Sequence, residues 1–578
     1  MKSYIFPIIT VLLLALFFLG LPDPEKTKIR KGNSRIDRKD LLIMAVITVI
    51  FAFVDFCGLG SRTAPETFAP VGGTSFTIEL SGDSPELSEI HLYTGVGVGT
   101  YDFEYSADGV FFSPVAEFDQ NYVEILKWET VAPSDISHPN FIRITVGGTA
   151  WLGELVLVDS GGNAIPYRSS LPDICDEQEK LCLKQTYLNS SYFDEIYHAR
   201  TAWEHLNRIY PYELSHPPLG KIIISLGVLL FGMNPFGWRF MGTLFGVLML
   251  PILYVFCKKL FSSRRAAVGA SLLLGTDFLH FVQTRIATID SYGVFFILLM
   301  YLFMFLYISE DDRKYLAMSG ISFGIGAACK WTCIFAGAGL ALIWLCYRIR
   351  RRSEGWKALM KNVGFCVIFF ILIPSIIYYL SYIPYGLAMG CKSIFSKAYF
   401  KTVVDNQTFM FNYHSMLVAE HPYSSVWYQW IFDIKPILYY LEYLPDDMRS
   451  SFGAFMNPLI CWGGLLAFPI LVYSAIFKKE NRAAFLLIAY LAQLIPWIFI
   501  TRLTFEYHYF PCSVFLIMAI GYIFSLMEAG SKHYKAYITS FCAVSALLFL
   551  LFYPVLSGHP VSNEYQHMFL HWLPSWPF

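Results

Sequence analysis

The stretches Ile43-Met-Ala-Val-Ile-Thr-Val-Ile-Phe-Ala-Phe-Val-Asp-Phe-Cys57 and Ile538-Thr-Ser-Phe-Cys-Ala-Val-Ser-Ala-Leu-Leu-Phe-Leu-Leu-Phe-Tyr553 decide the class of fold. Each approaches the ~20 consecutive apolar residues with which a helix crosses a bilayer core. Comparable blocks predict spans at 4–21, 41–58, 236–257, 265–282, 290–308, 315–329, 332–347, 361–381, 455–476, 483–501, 508–526 and 537–555. Composition agrees: the 578 residues are 55% hydrophobic and 15% charged, against roughly 25% charged in a soluble domain. Lipid is therefore the solvent for most of this chain. The formal net charge of −1 hides a segregation of cations into a few loops, so nucleic acid is not an expected partner.

Those cations set the topology. Lys26, Lys28, Arg30, Lys31, Arg35, Arg38 and Lys39 follow the first apolar run. The positive-inside rule puts such a loop in the cytoplasm. With no small-residue cleavage site behind it, the first run reads as a retained span rather than a signal peptide. The alternation then predicts cytoplasmic loops at 258–264, 309–314, 348–360, 477–483 and 527–536, and each carries Lys or Arg. The tightest turn is at Lys330, a charged residue between two short apolar runs.

Two long segments fall on the outer side. Residues 59–185 carry period-two stretches, Ser75 to Leu80 and Phe141 to Val146, which read as strands between polar turns. An inserted β-sandwich is expected, folding alone over about 63–170 and lying apart from any catalytic centre. Its stretch Gly99 to Phe112 resembles discoidin-like, galactose-binding jelly rolls; a structural sandwich without a ligand is the alternative. Cys175 and Cys182 stand close together there, and a disulfide is one reading in an oxidising compartment. Residues 383–454 are rich in aromatics, with Trp427, Tyr428, Trp430, Tyr439 and Tyr440. An aromatic belt at the membrane surface with interfacial helices fits them. The organisation is thus 1–58, two spans and a basic loop; 59–185, the sandwich; and 186–578, a membrane domain.

Ionisable groups at a membrane face are costly and need a reason. Asp194 and Glu195 follow the sandwich as adjacent acids. Neighbours in sequence cannot share one helix face, so separate roles are expected. Then come His216-Pro-Pro-Leu-Gly-Lys221, Trp238-Arg239, Arg285-Ile-Ala-Thr-Ile-Asp290, Lys330-Trp-Thr, His421-Pro-Tyr-Ser-Ser, and Arg502-Leu-Thr-Phe-Glu-Tyr-His508. By the predicted topology all of these lie on the outer face. Singly, each is as well explained by a snorkelling cation or a packing ion pair. Together they make a candidate active site.

In order and spacing, over about 190–520, these motifs resemble the protein O-mannosyltransferases, which use a polyprenyl- or dolichyl-phosphate mannose donor. The resemblance implies a mainly α fold, a polytopic GT-C helical bundle of about eleven spans with a catalytic Asp-Glu in its first outer loop. The span at 41–58 would be its first, and 4–21 an extra one, making about twelve. The chain departs from the eukaryotic members: residues 383–454 are too short for their β-trefoil, and the sandwich interrupts the first outer loop. A bacterial enzyme at the plasma membrane is implied, with an undecaprenyl-type carrier, a secreted or membrane protein acceptor, and its site outside.

The resemblance implies an inverting transfer in one displacement. Asp194 would be the general base, and Glu195 would orient the acceptor or a neighbouring cation. Arg239 and Lys330 would hold the lipid phosphate as preorganised cations. Asp290 and Arg285 would shape the donor pocket, which Lys221 and Arg502 would join, and His216, His421 and His508 would bind sugar hydroxyls or phosphate oxygens. The resemblance fixes no cofactor; a divalent metal, which some GT-C enzymes use, is an open alternative, although no helix-spaced ligand pair is present. The rival readings are a GT-C enzyme that glycosylates a lipid or cell-wall polymer, a transporter or flippase, and a sugar-binding receptor. The absence of repeated halves and of mid-membrane charges disfavours a transporter.

Overall fold

A computed structural model describes residues 4–27, 33–81, 86–134 and 139–578. Lys28, Arg30 and Lys31 of the first basic loop lie outside the described residues. The chain forms two compact units, Met1–Cys57 with Arg208–Ile223 and Gly242–Phe578, and Gly58–Asn207 with Ile224–Met241. Asp194, Glu195 and Arg239 thus belong to the unit that holds the sandwich, whereas the sequence reading began the catalytic domain at residue 186.

Among the described residues eight helices are long and apolar enough to cross a membrane: Pro235–Phe261, Asp290–Glu310, Cys333–Arg350, Arg352–Ala388, Pro458–Ile476, Asn481–Phe499, Glu506–Gly530 and Tyr534–Ser557. The span expected at 265–282 is two helices, Arg264–Gly275 and Phe278–Thr284, bent by 56°. The break has a local cause, because Asp277 caps the second helix through the His280 amide at 3.2 Å and accepts the Asn457 amide at 3.0 Å. With that pair the number reaches nine, below the expected twelve. Ile5–Leu19 is apolar but short, and Arg38–Phe56 and Arg313–Cys329 are helices outside the apolar set. An apolar helix that the sequence reading missed, Leu219–Phe231, follows the His-Pro-Pro motif. Asp37 and Asp40 form a capping box at the start of Arg38–Phe56. Asp40 also accepts from Arg264 and Tyr254, each at 2.7 Å, which fastens two basic loop ends together.

The inserted region is a sandwich. Its strands are β1 (Ala69–Pro70), β2 (Thr74–Leu80), β3 (Leu87–Thr94), β4 (Gly99–Ser106), β5 (Ser113–Gln120), β6 (Lys127–Val131), β7 (Phe141–Val146), β8 (Trp151–Asp159) and β9 (Tyr167–Ser169). They pair as β1-β8-β3-β6 and β5-β4-β7-β2-β9. The period-two pattern drives the pairing: Phe76, Ile78 and Leu80 on β2 and Ile142, Ile144 and Val146 on β7 turn inward to one apolar core. Cys175 and Cys182 are separate thiols. Cys182 instead accepts from the Asn189 amide at 2.9 Å.

Residues 383–454 hold the helices Ile383–Ala388, Lys397–Met416 and Trp427–Ile431, then a hairpin of β10 (Ile437–Leu444) and β11 (Met448–Ala454) that the sequence reading did not anticipate. Two of the expected belt aromatics are interior. Trp430 is fully buried and donates to Ser425 Oγ at 2.9 Å, and Tyr439 donates to Gln283 Oε1 at 2.6 Å. A polar handle with a fixed partner draws such a ring inward.

Candidate active site

The two adjacent acids are separated by their backbone. Phe193, just before them, has a φ of +47°, uncommon for a bulky residue. Asp194 then forms the N-cap of the helix Glu195–Leu206, with no side-chain capping bond. Its carbonyl accepts from the amides of Tyr197 and His198 at 3.1 Å, so its partly exposed carboxyl is not required to start the helix. Glu195 points inward and is 0% exposed. It grips Arg239 in a fork, Nε to Oε1 at 2.7 Å and Nη2 to Oε2 at 2.8 Å. Arg239 also donates to the carbonyls of Leu59 at 3.0 Å and Ser190 at 2.9 Å, and lies 4.8 Å from the Tyr192 ring. The two neighbours thus differ in setting, Glu195 being paired with the neighbouring cation Arg239. Arg239, assigned to phosphate by the sequence reading, is 1% exposed and engaged through three nitrogens, which fits it for holding the turn in place.

A second cluster is built in the other unit. Gly220 of the His-Pro-Pro-Leu-Gly-Lys motif approaches Ile289 so closely that a Cβ would lie 2.6 Å from its Cγ2. Lys221 is buried against the Glu213 carboxylate and donates to the carbonyls of Glu213 at 3.0 Å and His216 at 2.9 Å. It therefore anchors the motif. His216 is oriented by Ser215 Oγ at 2.9 Å and Glu213 Oε1 at 3.2 Å. Lys330 sits where the helix Arg313–Cys329 ends and donates to Asp290 Oδ1 at 2.6 Å.

His216, Lys330 and Arg502 come together around a cavity of about 250 Å³, walled by Trp331 and Trp497. His414 joins them. The sequence reading missed it, since nothing around it on Lys397–Met416 marks a site. It is fixed by a 2.8 Å hydrogen bond to the Ser215 carbonyl and by the His216 ring at 5.3 Å. Burial, then the nearby His216 and Arg502, holds the His414 imidazole down at about 4, and burial lowers His216 as well. Both rings are therefore neutral donors and acceptors near pH 7. The formal charge at the cavity rests on Lys330 and Arg502, set against Asp290.

Of the remaining expected residues, His508 packs against the cavity wall at Trp497, and His421 and Arg285 have partners of their own. His508 stacks parallel to Trp430 at 6.0 Å and edge-on to Trp497 at 4.5 Å. His421 accepts the Tyr423 amide at 3.2 Å beside the Phe505 ring at 5.0 Å. Arg285 donates to the Cys57 carbonyl at 3.0 Å and covers the Phe281 ring at 4.5 Å. Among the described residues no three His, Cys, Asp or Glu side chains are grouped to hold a metal ion, so the metal alternative gains no support.

A family model for dolichyl-phosphate-mannose-protein mannosyltransferase matches residues 215–378, and one for the C-terminal four-TMM region of protein-O-mannosyltransferase matches 399–576. The chain belongs to the protein O-mannosyltransferase family. It is a glycosyltransferase. It is 25% identical over 460 residues to a polyprenol-phosphate-mannose–protein mannosyltransferase of Mycobacterium tuberculosis, covering 66% of this chain and 86% of that one. A Mycolicibacterium smegmatis enzyme of the same name is 25% identical over 455 residues, 66% of this chain and 87% of that one. Among solved structures the S. cerevisiae protein O-mannosyltransferase Pmt1–Pmt2 complex bound to the sugar donor superposes with a TM-score of 0.60 at 14% identity, over 67% of this chain and 89% of that one. That likeness is one of fold.

Proposed function

We propose that this glycosyltransferase moves mannose from a polyprenyl-phosphate carrier to Ser or Thr hydroxyls of secreted or membrane proteins, on the extracytoplasmic face of the cell membrane. The names of the mycobacterial relatives support the donor and the acceptor. The observation that carries the reading is a cationic cavity that adjoins an apolar one. Beside the cavity with Lys330 and Arg502 lies a second of about 430 Å³, lined on the helix Cys333–Arg350 by Ile334, Gly337, Ala338, Leu340, Ala341 and Trp344. Ile334 lines both. These positions repeat at three and four residues, one stripe of a helix. From Ile334 to Trp344 the stripe runs ~15 Å at 1.5 Å per residue, about half of a ~30 Å hydrocarbon core. A phosphate head followed by the first isoprene units of a prenyl tail has that polarity.

In the chemistry that follows, the acceptor oxygen attacks C1 of mannose as the bond from C1 to the phosphate oxygen breaks. The proton passes to Asp194, and the electron pair leaves on the lipid phosphate. Lys330 and Arg502, oriented before the reaction, stabilise that charge. Attack opposite the leaving group inverts the sugar carbon. Glu195 and Arg239 keep the acid turn in shape. The basic loops between spans, such as Arg348 to Arg352 and Lys478 to Arg482, support a cytoplasmic side opposite the site.

The test is transfer by the purified protein in detergent, with polyprenyl-phosphate mannose and a Ser/Thr-rich peptide, read by mass spectrometry. Mannose on the peptide hydroxyls, with the anomeric configuration opposite to that of the donor, is the expected product. Transfer to a lipid or glycan alone would replace the protein acceptor with the rival enzyme reading.

A further inference from the structure

The sequence reading sets the inserted sandwich apart from catalysis, yet one of its loops is bonded to the turn that carries Asp194. The loop joins β5 to β6. Leu126 at its end is fully buried with a φ of +56°, and its amide donates to the Thr94 carbonyl at 2.8 Å. The loop end is thus tied into the sheet of β3. From there it reaches outward: the Leu126 carbonyl accepts the Ser191 amide at 3.3 Å and the Ile125 carbonyl accepts Ser191 Oγ at 2.6 Å. Ser191 is itself buried. Farther along, Tyr122 of the same loop stacks on Tyr197 at 6.3 Å and 16° between planes, one helical turn beyond Asp194.

The same turn is gripped at a second point. Arg239 donates to the Ser190 carbonyl at 2.9 Å while forked to Glu195. Between these grips stands Phe193 in its left-handed conformation. A bulky residue in such a conformation costs about 1–3 kcal/mol and persists only where the surroundings over-determine it. Leu126, in the same region of backbone space, lies at the other end of the contact. Two such residues flanking one hydrogen-bonded joint mark a turn held away from its relaxed shape. The residue that follows at the end of that turn is Asp194.

We propose that the Asn121–Leu126 loop of the sandwich is a positioning element of the transfer reaction, holding Ser191 so that Phe193 stays left-handed and the Asp194 carboxyl stays aimed. The inference rests on the reading of Asp194 as the base. On this account the inserted domain contributes to turnover, not to donor capture, and a chain without it needs another way to brace the acid turn.

The experiment uses the purified full-length chain, polyprenyl-phosphate mannose and a Ser/Thr-rich peptide, with kcat, donor KM and melting temperature measured for each variant. Ser191→Ala removes the hydroxyl bond to Ile125, and kcat falls about 10- to 100-fold, as for a slight misplacement of a catalytic group. Donor KM stays within about twofold, because donor contacts are untouched. Ser191→Thr, which keeps the hydroxyl, restores most of kcat. Phe193→Gly, at ease with a positive φ, recovers part of the loss when added to Ser191→Ala; this arm separates a positioning role from a fold that has merely loosened. An unchanged kcat in Ser191→Ala overturns the proposal, as does a loss that neither Ser191→Thr nor Phe193→Gly relieves. Asp194→Asn run alongside tells the two readings apart: full activity there removes the base, whereas an inactive Asp194→Asn beside a fully active Ser191→Ala removes only the positioning loop.

Discussion

Two buried ion pairs of nearly equal length, Glu195 with Arg239 at 2.7 Å and Asp290 with Lys330 at 2.6 Å, sit in different settings. Arg239 is bidentate to its carboxylate and adds two backbone carbonyls. Lys330 donates one hydrogen bond, to Asp290, and stands at the wall of a cavity with Arg502. An arginine fork is planar and fixes a geometry, whereas an ammonium is a point charge with rotatable donors. The saturated pair is suited to holding a turn and the unsaturated one to meeting an anion. Charge and burial alone do not distinguish them; the number of partners does.

The largest expected effect lies beside the saturated pair. Asp194→Asn keeps size and hydrogen-bonding shape but cannot take a proton, and general-base catalysis is worth ~10²–10⁴-fold. Transfer should fall by that factor while binding of the donor lipid, measured separately, is unchanged. Full activity would leave the acid turn without its chemical role. Next comes the pair itself. Arg239→Ala strands a buried carboxylate, which typically costs about 3–5 kcal/mol. The variant should melt markedly lower, Glu195→Gln added to it should recover part of the loss, and the folded fraction should still bind donor. A selective loss of donor affinity with stability intact would return Arg239 to the phosphate.

Lys330→Ala should show the opposite pattern. A hydrogen bond to a charged group contributes about 1.5–3 kcal/mol, so donor binding should weaken roughly 10- to 100-fold, with turnover falling too. Asp290→Asn added to it should restore stability but not affinity. Donor binding equal to wild type in Lys330→Ala would erase the contrast between the pairs. The smallest effect concerns pH. His414 is held at about 4, below its usual 6.5, so the unfolded chain binds the proton more readily between those values. The contribution to stability is complete above about pH 6.5 and is lost as the pH falls towards about 4. His414→Gln should flatten the slope of melting temperature against pH across that window, and an unchanged slope would place the imidazole outside the cavity.

Much of the fold was legible because it is local. Strands β2 and β7 follow from period-two alternation, and the break at Lys330 from a charge between apolar runs. The bend at Asp277 was not legible, since a capping aspartate inside an apolar run resembles any polar interruption until Asn457 is seen to share it. Within the candidate site, residue types and motif order were readable, but partners were not. Lys221 pairs with Glu213, His414 lines the cavity, and Tyr439 meets Gln283 across 156 positions.

By itself the sequence determined the solvent, the approximate placement of the helices, the presence of a β-insert and the family motifs. Each of these is written in composition, short-range periodicity or residue order, and each survives without knowing any long-range contact. Only the tertiary structure decided which cation is saturated and which lines a cavity, and that the loop ending at Leu126 is hydrogen-bonded to Ser191 before Asp194. Those outcomes depend on hydrogen bonds between segments far apart in the chain, such as Ser191 to Ile125 across 66 positions. A donor or acceptor carries no mark in sequence of which distant partner will satisfy it once water is excluded.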